Sequence, residues 1–302
     1  MKKSHLKLEN RQTISGVDFE NYFQPTSLKK ALEIKAEYGS EVTIAAGTTD
    51  LLVSYYERLH EIKNWLDLSK IDELKYIDFS EKKVKIGAMI THLALKESKA
   101  LKEKLPVLQA AAADVGSPQI RSRGTIGGNI VTSSPSGDLL TPLLSYQARF
   151  KLETAEKSRW VDAEEFFTGP KTNIMEAKEI LTEIEVPIPE NDSSGYWLKI
   201  GRRKALVIST LNFSLVLEFN KDKISRAGLA LGSAAPIPIR LKKVEEMLVG
   251  KRLAELDYRE LGEEVKNKIA PIDDLRGSKE YREDVALETM VNALEDIEKR
   301  RR

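Results

Sequence analysis

Residues 115–141 most constrain what this chain can fold into. Gly116, Gly124, Gly127, Gly128 and Gly137 stand there among Ser, Thr and Pro, where a core would need apolar side chains. Glycine admits backbone conformations and close approaches that a side chain would block, so the backbone of this stretch is expected to be its functional part. The pattern around it is mixed. Ser27 can cap a helix carrying Leu28, Ala31 and Leu32 on one face, Gly39 ends it, and residues 42–46 read as a short buried strand. Gly47, Thr48, Thr49 and Asp50 then turn the chain into a helix over 51–59. Short strands are predicted at 65–68, 75–79 and 84–88, followed by an Ala-rich helix at 106–115 that Gly116 stops. Residues 149–153 and 159–161 look like hairpin strands, and 180–187 alternates as a strand closed by Pro187 and Pro189. These strands are too short and too irregularly connected for a plain doubly wound sheet. From Tyr196, strands at 196–200, 211–219 and 224–231 precede helices at 242–248, 256–268 and 279–299. A small antiparallel sheet backed by helices fits, and the fold class is α+β in two units, as a length of 302 residues allows.

Composition narrows the chemistry. The chain has no cysteine, which excludes disulfides, thiolate-held iron-sulfur clusters, a catalytic thiol and a flavin attached through cysteine. Any such metal centre must lie in another chain. His5, His60 and His92 lack the i, i+4 spacing of helix-borne ligands, so no metal site is expected. The 48 basic and 47 acidic residues nearly cancel, leaving no global field that favours nucleic acid or an anionic membrane. Residues 1–18 contain no apolar stretch like that of a signal peptide, and no segment approaches 18 uninterrupted apolar residues. A soluble cytoplasmic protein without membrane insertion is expected.

Two segments carry candidate chemistry. At the 47–50 turn, exposed amides at a helix start and the Thr48 and Thr49 hydroxyls suit phosphate oxygens, and Gly47 lets the backbone come close. Asp50 would repel a phosphate, so it either caps the following helix or accepts from a ribose hydroxyl. By itself this turn is better read as an ordinary strand-to-helix turn with a polar cap. The second segment runs from Arg121 to Ile130, where Gly127 and Gly128 are adjacent and Thr125 and Asn129 supply hydrogen bonds at fixed places. It is neither the dinucleotide fingerprint nor a phosphate loop ending in Gly-Lys-Ser/Thr. Asp138 opens the 139–146 segment as a helix cap, a ribose contact, or both.

These residues resemble a known family. The segments 46–51, 86–88 with Thr91-His92, 116–121, 125–129 and 134–138 resemble, in that order and spacing, the FAD-binding domain of the molybdopterin dehydrogenases. That family includes the medium subunits of xanthine dehydrogenase and of aerobic carbon monoxide dehydrogenase. Residues 229–232, 234–240 and 277–282 resemble the family's C-terminal flavoprotein domain. The resemblance implies an FAD-binding domain over 19–189, in two parts at about 19–60 and 61–189, and a C-terminal domain over 195–299. It implies that Ala46, Gly47, Thr48, Thr49, Asp50 and Leu51, with Thr125, Ile126, Gly127, Gly128 and Asn129, hold the FAD pyrophosphate and ribityl chain. Asp138 matches the family's flavin-binding acid. Val115 matches a residue packed against the cofactor, Thr132 a polar contact, Leu181 a strand residue covering the flavin, and Lys199 a lysine approaching it. Each of these four has an ordinary alternative: core packing for Val115 and Leu181, a satisfied strand or turn for Thr132, a solvated charge for Lys199. Two departures from the pattern are Thr48, where many relatives have glycine, and Ser122, where asparagine is common. Neither removes a backbone donor.

What the resemblance implies about function is an electron-transfer role without a catalytic acid or base. FAD would collect electrons from an iron-sulfur partner subunit, itself fed by a molybdopterin-binding subunit, and pass them to NAD or another acceptor. Xanthine or a related purine is the expected substrate of the complex. Carbon monoxide, nicotinate or an aldehyde, or a flavin-binding assembly scaffold without turnover, are the alternatives.

Overall fold

The computed structural model describes residues 12–14, 17–57, 59, 62–190, 192–203 and 207–302. His5, His60 and most of the 1–18 segment lie outside the described residues. The first sheet is parallel and three-stranded, with Asn64–Asp67 between Asn21–Phe23 and Val42–Ala45. Parallel neighbours need long crossovers, and the helix Leu28–Tyr38 supplies one. The Ser27 hydroxyl accepts from the Lys30 amide at its start, and Gly39 ends it at φ 54°, in the left-handed region that favours glycine. Its buried face includes Ala31, Leu32 and Ile34, while Lys35 buries its stem and donates to the carbonyls of Gly39 (2.8 Å) and Val42 (3.1 Å). Because Asn64–Asp67 is the central strand, the expected division near residue 60 runs through this sheet rather than beside it. The resemblance puts the break at the loop before that strand, whereas hydrogen bonding carries the strand back into the first sheet.

The second sheet is antiparallel and five-stranded, ordered Ile77–Phe79, Lys83–Gly87, Ile180–Pro187, Arg149–Glu153, Ser158–Asp162. Residues 75–76, expected within the first of these strands, lie before it, after a turn of 3-10 helix at Asp72–Leu74. Between the second and third strands in chain order the glycine-rich stretch folds as short helices, Pro118–Arg123, Ile126–Thr132 and Leu140–Ser145. Ser117 caps the first through the Ile120 amide and Thr125 caps the second through the Gly128 amide. Helices this short have little stability alone, so tertiary packing holds them. The helix His92–Glu97, capped by Thr91, and Lys99–Lys104, capped by Ser98, were not expected either.

The third sheet is antiparallel, with Asp192–Ile200, Leu211–Asn220, Lys223–Gly232 and Ile239–Arg240 in order. Leu211–Asn220 is buried along all but its last residue because helices cover both faces of this sheet. On one face Leu211, Phe213, Leu215 and Leu217 pack in a core with Val265, Met290 and Leu294. Fully burying each such Leu or Phe contributes roughly 1.5–3 kcal/mol. On the other, Val216 and Ala230 join the core of the FAD-domain-like unit, packing with Leu140, Leu144 and Tyr146. A Cβ on Gly228 would lie 2.0 Å from the Ser145 carbonyl oxygen, so glycine lets this helix press onto the strand. Thr141 donates to Asn212 Oδ1 (3.0 Å) and Ser145 to the Ser214 carbonyl (3.0 Å), satisfying polar groups buried there.

Candidate cofactor site

A cleft of about 860 Å³ lies where the parallel sheet, the short glycine-rich helices and the start of Ile180–Pro187 meet the third sheet. It gathers Ala46, Gly47, Thr48, Thr49, Asp50, Leu51, Val115, Thr125, Gly127, Gly128, Asn129, Thr132, Asp138, Leu181 and Lys199. Ile126 is the exception among the expected residues: its side chain is fully buried in the core and does not line the cleft. Apolar character in a helix's first turn directs it inward, leaving its glycine neighbours at the cleft.

At the 47–50 turn Thr48 adopts φ 59°, a left-handed conformation that strains a β-branched residue. The amides of Thr48, Thr49 and Asp50 donate to no group among the described residues. Successive unspent amides around a left-handed residue form a concavity suited to an anion. Asp50 stands at the N-cap of the helix Leu51–Tyr56 but makes no side-chain cap bond, which corrects the capping alternative. Gly47 is fixed by the protein itself, since a Cβ there would lie 2.1 Å from the Arg123 carbonyl oxygen.

The 125–129 segment presents the opposite state. Ile126 donates to the Ile90 carbonyl (2.9 Å), Gly127 to that of Ala88 (2.9 Å), Asn129 to that of Thr125 (3.0 Å), and Gly128 to the Thr125 hydroxyl (3.0 Å). What this segment offers the cleft is surface rather than amide donors. A Cβ on Gly127 would meet Ala88, whereas one on Gly128 would meet only the Thr125 hydroxyl at 3.0 Å. Among the described residues Asn129 Oδ1, buried beside the cleft, has no partner.

Across the cleft, Lys199 Nζ donates to Asp138 Oδ2 (2.5 Å) and to the Asp114 carbonyl (3.0 Å), and Ser209 donates to Asp138 Oδ1 (2.7 Å). Burial pushes the Asp138 carboxyl upward, opposed by the Lys199 charge and the hydrogen bonds from Lys199 and Ser209. Both members of the pair are nearly sequestered, at 8% and 10% side-chain exposure, so Lys199 is not a solvated charge. Nor is Asp138 a helix cap: that place belongs to Leu139, with no side-chain bond. Val115 and Leu181 are buried in the core and also border the cleft. Thr132 ends its helix with a hydroxyl that bonds to no described residue.

Further residues line the cleft that were not expected at the cofactor. His92 lies under Gly124, is 3% exposed, and has no partner for Nδ1 among the described residues. Burial, then the Arg121 charge, hold its pKa at about 4, so the ring is neutral near pH 7. Asn173, Met175, Glu176 and Glu179 form another wall. Glu179 is gripped by Arg159 through Nε (2.7 Å) and Nη2 (3.0 Å) and accepts from the Glu176 amide (2.8 Å). Burial opposes its charge, but the Arg159 bonds and the Glu176 amide hold its carboxyl below the ordinary range. No glycine or repeated residue type marks this wall; its only sequence signal was the neighbouring Leu181.

A cleft lined both by unspent amides and by a buried ion pair suits a cofactor carrying both phosphates and a polar ring. No helix among the described residues is long and apolar enough to cross a membrane. Residues 17–189 match the family described as the FAD binding domain in molybdopterin dehydrogenase, and 196–297 match the CO dehydrogenase flavoprotein C-terminal domain. The nicotinate dehydrogenase FAD-subunit of Eubacterium barkeri is 33% identical, covering 77% of this chain and 80% of its own length. The xanthine dehydrogenase FAD-binding subunit of Escherichia coli O157:H7 is 31% identical over 88% and 91%, respectively. A chain of carbon monoxide dehydrogenase from Hydrogenophaga pseudoflava superposes with a TM-score of 0.88 at 29% identity, covering 92% of this chain and 97% of that one. The chain therefore belongs to the FAD-binding subunits of the molybdopterin dehydrogenase family, and its cofactor is FAD.

Proposed function

We propose that this chain, in two units over 19–189 and 195–299, carries electrons through FAD in a cytoplasmic molybdenum hydroxylase complex, from an iron-sulfur subunit to NAD. Xanthine or a related purine is the proposed substrate of that complex. The observation that carries the electron-transfer reading is the cleft: it is built to hold a large anionic cofactor, while the chain contains no cysteine to hold a cluster through thiolates. Electrons must then arrive from another chain. FAD, when bound, supplies a ring that accepts electrons singly and releases them as a pair.

The residues divide the task. The unspent amides of Thr48, Thr49 and Asp50 would take the pyrophosphate oxygens, and Asp50, freed from capping, a ribose hydroxyl. Gly128 and Asn129 would face the chain linking phosphate to ring, with Asn129 Oδ1 accepting one of its hydroxyls. The Lys199 ammonium, held by Asp138 and Asp114, would set a fixed positive charge at the ring's polar edge. Val115 and Leu181 would exclude water from it. No residue needs to move a proton.

Heat or acid treatment should release about one FAD per chain into solution. Recovery of FMN, or flavin left on the denatured chain, defeats the binding reading. Co-expression with a cluster subunit and a molybdenum subunit should give a complex stable in gel filtration whose flavin is reduced on adding xanthine. Reduction by nicotinate, carbon monoxide or an aldehyde alone would replace the substrate and leave the electron-transfer role standing; no reduction by any of them would leave the scaffold alternative.

A further inference from the structure

Behind the pair of Lys199 and Asp138 lies a run of buried polar groups that do not themselves line the cofactor cleft. Ser209, fully buried, donates to Asp138 Oδ1 (2.7 Å), which leaves Oδ2 for Lys199. The Ser209 carbonyl accepts from the Ser233 hydroxyl (3.1 Å). Ser233 follows the strand Lys223–Gly232 at φ 58°, a left-handed conformation uncommon outside glycine, and its amide donates to the Pro135 carbonyl (2.7 Å), just before Asp138 in the chain. Its own carbonyl accepts from Nη1 of Arg282 (3.1 Å), near the start of the helix Lys279–Arg301. Arg282 is 3% exposed; its Nη2 donates to Asp274 Oδ1 (2.5 Å), and its Nε is buried with no partner among the described residues. Burying a guanidinium is costly, and where such a charge serves packing alone an apolar side chain can replace it at little loss. Arg282 instead spends one arm on an uncharged carbonyl, that of the residue tied to both Ser209 and Pro135.

We propose that Arg282, Ser233 and Ser209 are a chain of positioning residues that reaches from the last helix to the pair of Lys199 and Asp138 and sets the charge this pair presents to the flavin. An ammonium has three donors; Asp138 and the Asp114 carbonyl take two, and Lys199 lines the cleft, so one is left for the cofactor. Ser209 keeps Asp138 ionised and turned so that Oδ2 meets Lys199, while Ser233 and Arg282 keep Ser209 in place. Burial pushes the Asp138 carboxyl upward and the Asp114 charge adds to it, against the Lys199 charge and the hydrogen bonds from Lys199 and Ser209. Without the Ser209 hydroxyl the neutral acid is favoured, the Lys199 charge loses its balance, and the reduced, more negative flavin is stabilised. The assignment rests on the reading above that puts Lys199 at the flavin ring.

The test measures the midpoint potential of the flavin in the FAD-loaded chain. Ser209→Ala and Ser233→Ala should each raise it by about 30 mV, a tenfold change in the ratio of reduced to oxidised flavin for a two-electron couple. Arg282→Met should raise it similarly, whereas Arg282→Lys, which keeps a donor for the Ser233 carbonyl, should stay near the parent value. In the Ser209→Ala background Arg282→Met should add nothing, because both act through one hydroxyl. Arg226→Lys loosens a partly buried arginine that engages Glu218 in the same sheet, and it should lower stability without moving the potential. Unchanged potentials in both serine variants, or an additive shift in the double variant, would overturn the assignment; the serine variants decide it even where Arg282→Met does not fold. Lys199→Gln tests the reading beneath: an unchanged potential there sinks the placement of Lys199 at the ring and the chain of residues with it, whereas a shift there with none in the serine variants overturns the chain alone.

Discussion

The 47–50 turn and the 125–129 segment face the same cleft, yet their backbones are in opposite states. In the first, three consecutive amides are unspent and Thr48 is held at φ 59°. In the second, four consecutive amides are already bonded to Ile90, Ala88 and Thr125. The segment with more glycine is the one with fewer donors to give. Glycine there and at Gly47 serves the meeting of protein backbones: Gly47 against Arg123, Gly127 against Ala88. A glycine-rich motif therefore marks where chains approach, and only the hydrogen-bond account shows which backbone remains able to grip an anion.

The sharpest way to break this contrast is Gly47→Val, which drives a side chain into the Arg123 backbone at 2.1 Å and separates the two loops. Backbone cannot yield by changing rotamer, so a loss of more than about 3 kcal/mol is expected in denaturant unfolding, with FAD lost as well. Retained FAD in a stable Gly47→Val variant would show that the loops need not touch.

The seam between the loops also titrates. His92, beneath Gly124, has its pKa lowered from 6.5 to about 4, so the unfolded chain binds its proton more readily than the folded one. That contribution to stability is complete above about pH 6.5 and is lost as pH falls toward 4, by about 3 kcal/mol in all. Unfolding free energies across that window should slope accordingly, and His92→Gln should flatten the slope. An unchanged slope would place the acid sensitivity elsewhere.

Gly128→Val probes the open side of the second segment. Its Cβ meets only the Thr125 hydroxyl, so the chain should stay folded with a loss of about 1 kcal/mol from the disturbed cap. FAD affinity should fall at least about tenfold, or 1.4 kcal/mol, because the branched side chain enters the cleft. Equal FAD occupancy would mean that Gly128 serves folding alone.

Thr48→Gly is the smallest effect and sharpens the contrast most finely. Relief of the left-handed strain is opposed by the greater freedom of glycine in the unfolded chain, so stability should change by about 1 kcal/mol or less. All three amides remain, and FAD should too. Thr48→Pro, which removes one amide and forbids the positive φ, should release FAD; tight binding in that variant would show that the turn is not the phosphate grip.

Much of this was legible in residue order. The cap at Ser27, the strand 180–187, the helix 242–248 and the antiparallel character of the C-terminal sheet all follow from neighbours within a few positions. The lack of cysteine alone removed thiolate-held clusters from this chain. Local order also pointed to the segments that line the cleft, and resemblance to a family added Val115, Leu181 and Lys199. What it did not show was the short helices of the glycine-rich stretch, the wall around Glu179, or the inward turn of Ile126. Nor did it show that Asp138 ignores the helix beside it and pairs with Lys199, 61 residues away. Tertiary structure decided these because each depends on a partner distant in sequence: an amide is spent or unspent according to whether a strand such as Lys83–Gly87 and the turn after it bring a carbonyl against it, and a charge is solvated or paired according to what the next sheet lays over it.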